Sequence, residues 1–231
     1  MFPLYDTIPS RRKPYVVYVL ILVNVIFFIY QQTLSRPELI QFLYNFGLVP
    51  ARFTSQRWSQ IWHLRTGLDL YSPKWLSFVT HMFLHGGWSH LIGNMWFLGI
   101  FGDNVEDNMG HFRFAIFYIS SGLLAATVHF LFNLGSQVPM VGASGAISAV
   151  MGAYYVLFPY SRVISFVPTF FLPFLIAIPA GVYLLVWFVF QIISGIADSA
   201  VNSGVAYWAH AGGFVIGMVW GFFRRRKAYY W

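Results

Sequence analysis

Cysteine is absent from the 231 residues, which excludes a disulfide framework, thiolate chemistry and a zinc–thiolate site. Charge is scarce as well. Fourteen basic and seven acidic side chains amount to 9% of the chain, against about 25% in soluble globular proteins. So few charges do not make a water-facing surface, and lipid is the solvent this composition calls for. No small-residue cleavage site follows the first apolar run, so that run is expected to stay as an anchor. There is no clear internal repeat, no low-complexity segment and no room for a separate soluble domain.

What is present is apolar: 58% hydrophobic residues and 21% aromatics. At about 20 residues per span, the length allows six or seven transmembrane helices. The net charge of +7 is carried largely by clusters at Arg11-Arg12-Lys13 and Arg224-Arg225-Arg226-Lys227, beside apolar runs. This pattern sets topology and touches anionic lipid; nucleic-acid binding is not expected. The runs predict spans at Pro14–Tyr30, Trp88–Phe101, Phe112–Phe132, Val141–Pro159, Phe170–Ile193 and Val205–Phe223. The expected fold is thus an all-α membrane protein, a six-transmembrane-helix bundle over residues 14–223, with a cytoplasmic tail at 1–13 and a basic cytoplasmic tail at 224–231. Between the first two spans lies a long first loop, 31–75, in which arginines alternate with Trp58, Trp62 and other apolar residues. That mixture predicts interfacial helices lying in the headgroup plane. Nine of the fourteen Lys and Arg fall in the tails, the second loop and the fourth loop, so both termini are expected to be cytoplasmic in the plasma (inner) membrane.

Polar groups at membrane depth cost several kcal/mol if unpaired, and three clusters need a reason. The first holds His81, His85, His90 and Asn94. His90 and Asn94 are four apart and point to one spot on a helix face, which favours a functional role; His81 and His85, around the Gly86-Gly87 interruption, read as hydrogen-bonding residues between helices. The second is Val-Gly-Ala-Ser-Gly at the start of the fourth span. A membrane serine is often only packing filler. Glycine on both sides, Gly142 and Gly145, instead lets a backbone approach the hydroxyl of Ser144 closely, and the free N–H groups of a first helical turn suit an oxyanion. The third is His210 with Gly213, Gly217 and Gly221 on one face of the last span, where glycines permit a close helix crossing. The fourth span, with Gly145, Ala149 and Gly152, is a neighbour small enough to bring Ser144 to His210.

Taken together and in order, His90-x-x-x-Asn94, Gly142-x-Ser144-Gly145 and Ala209-His210-x-x-Gly213 resemble the rhomboid family of intramembrane serine proteases. Phe101–Gly110 looks like the short loop that follows the second span in that family. This chain carries Ser148 where some members have an aromatic residue under the histidine, and the reversed pair Arg57-Trp58 where many have Trp-Arg. The resemblance implies a serine endopeptidase with Ser144 as nucleophile and His210 as base. The sixth span carries no acidic residue to orient the imidazole, which favours a dyad over a triad. Asn94, His90 and the Ser144 N–H would meet the oxyanion, and Gly142, Gly145, Gly213 and Gly217 would serve packing. No cofactor and no metal is expected. The implied substrates are transmembrane segments of other membrane proteins, within the lipid bilayer. A non-catalytic rhomboid-like protein that binds membrane clients, and a histidine-box iron enzyme built on His81-x-x-x-His85, are the rival readings; a channel or transporter lacks the inverted repeat such folds show.

Overall fold

The computed structural model describes residues 2–168, 174–198 and 204–224. After a short strand, β1 (Phe2–Asp6), the first apolar run forms α1 (Tyr15–Thr33). The first loop is helical: α2 (Arg36–Phe46), α3 (Ala51–Thr54) and α4 (Trp58–Thr66), then α5 (Ser77–Thr80) between two 3-10 turns, Lys74–Leu76 and His81–Phe83. A capping box starts α2, with Ser35 and Glu38 bonding each other's backbone ends and a proline in the first turn, the arrangement that satisfies two orphan N–H groups reciprocally. The bundle continues with α6 (Trp88–Met109), α7 (His111–Phe132) and α8 (Ser144–Leu157), then strands β2 (Arg162–Val167) and β3 (Phe174–Pro179), and ends with α9 (Ala180–Asp198) and α10 (Tyr207–Arg224).

Three helices, α1, α7 and α9, are long and apolar enough to cross a membrane by themselves. Helix α8 is shorter. Its 14 residues rise about 21 Å, and every residue from Gly145 to Tyr154 is buried. It is the axis of the molecule, and its closest neighbour is α10. A Cβ added at Gly217 would collide with the Ala149 carbonyl, one at Gly213 with the Gly145 carbonyl, and one at Gly152 with the Phe214 carbonyl. The two backbones touch, and only glycine fits there.

Three sequence expectations need correction. The fold is not purely helical: β1, β2 and β3 form an antiparallel sheet in that order. The span expected at Phe170–Ile193 begins only at Ala180. Residues 170–173 lie outside the described part, and Phe174–Pro179 pairs with β2, Phe174 opposite Val167 and Pro179 opposite Arg162. The cause is Pro179, which in a helix interior would remove a hydrogen bond and clash with the preceding turn; the helix starts directly after it. Conversely, Phe101–Gly110 is not a loop. Helix α6 runs through its acidic residues to Met109 because each acid finds a partner. Glu106 accepts from the N–H of Val16 and Val17 at 2.9 Å, Asp107 from Arg11 N at 3.0 Å, and Asp103 from Asn104 N at 2.7 Å. The basic residues of the 224–231 tail beyond Arg224 also lie outside the described part.

These contacts sort the bundle into two ends. Glu106 joins the end of α6 to the start of α1, and β1 pairs with β2 after α8, Phe2 opposite Phe166. At the opposite end Gln31 of α1 meets His85, and the start of α8 meets α10 through Ser144 and His210.

Candidate active site

Ser144 is the first residue of α8. The turn before it depends on Gly142, whose φ of +119° lies in the region only glycine enters without strain. Gly142 N donates to His81 O at 2.9 Å, which fixes the turn against the 3-10 segment. A Cβ on Gly142 would lie 2.6 Å from His90 Nε2 and 3.5 Å from Asn94 Nδ2. The glycine therefore lets the turn that carries Ser144 lie directly on the His90–Asn94 face of α6, one reason the α8 helix starts at Ser144 rather than at Val141.

The Ser144 hydroxyl is 2.7 Å from His210 Nε2, a normal hydrogen-bond length. A Cβ on Gly145, one residue on, would lie 3.0 Å from the Ala125 methyl and 3.6 Å from that of Ala209, so α10 approaches at the level where His210 is carried. The other imidazole nitrogen, Nδ1, is 2.8 Å from Gln191 Oε1 of α9. Trp187, one turn earlier on α9, sets its ring 6.1 Å from that of His210. Ser148 does not reach the histidine; its hydroxyl donates back to Ser144 O at 2.6 Å.

Facing this pair, Asn94 Nδ2 is 2.9 Å from His85 Nε2. His85 is in turn clamped to α1, since its N–H donates to Gln31 Oε1 at 3.0 Å and its carbonyl accepts from Gln31 Nε2 at 2.9 Å. Gly86 N makes a long contact of 3.4 Å to His90 Nδ1. If that nitrogen accepts, Nε2 carries the proton and is the donor facing Gly142. His81 turns the other way, its Nδ1 at 3.0 Å from Ser77 O. Ser144, His210, Gln191, His90, Asn94 and Trp187 all line one open cavity of about 580 Å³.

The structure thus gathers Ser144, His210, His90 and Asn94 around one cavity, packs Gly142 against His90, and leaves Gly213 and Gly217 to the α8–α10 crossing. Sequence reasoning passed over three residues. Gln191 is the only amide in α9, and a lone amide at membrane depth requires a partner. Gln31 of α1 is likewise buried and bonds the backbone of His85 at both ends of its amide. Arg52 is buried, and its guanidinium donates to Ser72 O at 2.6 Å and Asn45 O at 3.2 Å, so it, not Arg57, ties the first loop together.

The family model described as the Rhomboid domain matches residues 72–227, more than half of the chain and all of the elements that build this cavity. The chain belongs to the rhomboid family. It is accordingly an integral membrane protein. Among related rhomboid proteins, it is 43% identical over 75 residues to "Rhomboid-like protein 11, chloroplastic" of Arabidopsis thaliana, covering 32% of this chain and 26% of that one. It is 28% identical over 153 residues to "Rhomboid protein 1, mitochondrial" of Saccharomyces cerevisiae, covering 64% and 41%. It is 33% identical over 104 residues to "Presenilin-associated rhomboid-like protein, mitochondrial" of Bos taurus, covering 44% and 26%. The matched part of this rhomboid chain spans well under half the length of these relatives.

Proposed function

We propose that this rhomboid protein is an intramembrane serine endopeptidase that hydrolyses peptide bonds in or near transmembrane segments of other membrane proteins. The observation that carries the reading is the Ser144 Oγ to His210 Nε2 contact of 2.7 Å, at an open cavity of about 580 Å³. His210 takes the hydroxyl proton as Ser144 attacks the peptide carbonyl, then returns it to the leaving amine. The Ser144 N–H, Asn94 Nδ2 and His90 Nε2 receive the oxyanion, acting where charge develops. Water entering through the cavity hydrolyses the acyl-enzyme. A helix hides its carbonyls in hydrogen bonds, so substrate segments with Gly, Pro or small polar residues open most readily.

Six helices carry this chemistry: α1, α6, α7, α8, α9 and α10, with α2–α4 lying at the interface. The first residue of α1 and the last of α10 end on the same side, taken as the cytoplasm of a plasma (inner) membrane from the placement of Lys and Arg. Helix α9, buried on one narrow face only, is the lateral gate through which a substrate enters.

Purified protein in detergent, given a labelled transmembrane substrate, is expected to cleave it, and Ser144→Ala and His210→Ala are expected to lose cleavage while remaining folded. Cleavage by Ser144→Ala at the parent rate would remove Ser144 as nucleophile, and absence of cleavage by the parent across a panel of transmembrane substrates would favour a client-binding role.

A further inference from the structure

A serine–histidine pair works only if the histidine nitrogen facing the hydroxyl is bare. A neutral imidazole carries its one proton on either nitrogen, and in the wrong tautomer Nε2–H would point at Ser144 Oγ and could not accept its proton. Something must hold the proton on Nδ1. In triads a carboxylate does this, but α10 has no acidic residue. The structure has another group there. Gln191 is buried, 6% exposed, and its Oε1 lies 2.8 Å from His210 Nδ1. An amide oxygen can only accept, so Nδ1 must donate, and Nε2 is left as the acceptor for the Ser144 hydroxyl.

The helices are built to deliver this contact. Ala180, Leu184, Gln191 and Gly195 are the buried residues of α9; their spacing puts them on one helical face. Gly195 sits where a Cβ would come within 3.2 Å of the Tyr207 side chain and 3.3 Å of the Trp208 ring. The glycine lets the start of α10 close onto α9, and one turn away Gln191 meets His210. Trp187 flanks the same ring.

We propose that Gln191 is a positioning residue, whose amide oxygen fixes the tautomer and orientation of His210 and so keeps Ser144 activatable. The proposal rests on the Ser144–His210 reading above and adds a third member from a different helix. Gln191 bonds His210 Nδ1 and not the Ser144 hydroxyl, so its effect on the reaction passes through the imidazole.

The test compares full-length parent, Gln191→Met, Gln191→Glu and Ser144→Ala in detergent, with a fluorophosphonate probe. The Ser144 oxygen bonds to phosphorus, fluoride leaves and His210 takes the proton, so labelling reads the nucleophile without a known substrate. Methionine keeps the length and bulk of glutamine but offers no comparable acceptor; glutamate restores one. Gln191→Met is expected to label about 10- to 100-fold more slowly, the effect of one lost hydrogen bond to a buried group, at an unchanged melting temperature. With a cleaved substrate the loss falls on kcat, not KM. Gln191→Glu is expected to recover most of the rate. Nitrogen-15 NMR of histidine-labelled protein is expected to show His210 protonated at Nδ1 in the parent and mixed in Gln191→Met. Labelling of Gln191→Met at the parent rate, a loss that glutamate does not recover, or a parent His210 protonated at Nε2 would each overturn the role. Labelling that persists in Ser144→Ala would instead overturn the dyad itself, so the two failures are separable.

Discussion

Two polar clusters sit in this apolar bundle, at opposite ends, and they solve the same problem differently. At the end closed by the sheet, Glu106 is fully buried and serves chiefly to cap backbone. Its two oxygens accept from Val16 N and Val17 N, the orphan donors of a helix whose N-cap, Pro14, offers no side-chain cap. The negative charge also faces the positive end of the α1 dipole. Beside it His111 closes the last site on the carboxylate, and Asp6 accepts from Asn104 Nδ2 at 2.9 Å and from the Tyr154 hydroxyl. At the other end the bonds run side chain to side chain, Gln191 to His210 to Ser144 and His85 to Asn94, and the hydroxyl, the amide and His90 face a cavity. A buried polar group bound to backbone is part of the scaffold. One bound to another side chain, with capacity left over toward open space, is available for chemistry.

The comparison makes predictions that can break it. The largest effect is expected from Ser144→Ala and His210→Ala, which should lower the cleavage rate by about 10³-fold or more with the melting temperature kept. Asn94→Ala should cost about 10²- to 10³-fold in kcat, the range for one oxyanion donor, again without loss of fold; an unchanged kcat would take Asn94 out of the site. Glu106→Ala should do the reverse. It strands two buried N–H groups and is expected to destabilise the protein by about 2–4 kcal/mol, read as a lower melting temperature, while the folded fraction keeps its kcat. Gly217→Ala forces a methyl onto the Ala149 carbonyl and should cost about 1–3 kcal/mol in the same assay.

The smallest effect concerns Asp6, outside the helices, whose carboxyl is pushed above the ordinary aspartate value by burial, against the opposing hydrogen bonds from Tyr154 and Asn104. The folded state therefore holds this proton more tightly than the unfolded one. That contribution is fully present below the unfolded value of about 3.9 and is lost as pH rises through the higher folded value. Relative to Asp6→Asn, which does not titrate there, the parent should lose melting temperature as pH is raised from 4 to 7; a constant difference would mean that Asp6 holds its proton no differently in the two states.

Much of this was legible in the sequence, and the misses have physical causes. Helix α7 begins one residue from its expected start because His111–Phe132 is largely apolar between Gly110 and Asn133. Ser144 and His210 could be singled out because glycines flank the first and share a helix face with the second, and glycine in a membrane helix marks a close crossing. Gln191 carries no such punctuation, and its partner lies 19 residues away on a different helix. Strand β3 was hidden because Phe174–Ile178 is as apolar as any span; composition does not separate an apolar strand from a helix, and Pro179 marks the boundary. The acidic run in α6 misled in the opposite sense, since carboxylates look like loop until their partners on α1 are known.

Strand β1 has a consequence for how the protein is made. Its partner in the sheet, from Val163 to Phe166, leaves the ribosome long after it. At about 5–20 residues per second, Phe2–Asp6 waits roughly 10–30 s for its partner strand, while α1, α6, α7 and α8 are synthesised. A segment made before any of the helices is among the last to find its place, and its pairing fastens this strand to the hairpin that leads into α9.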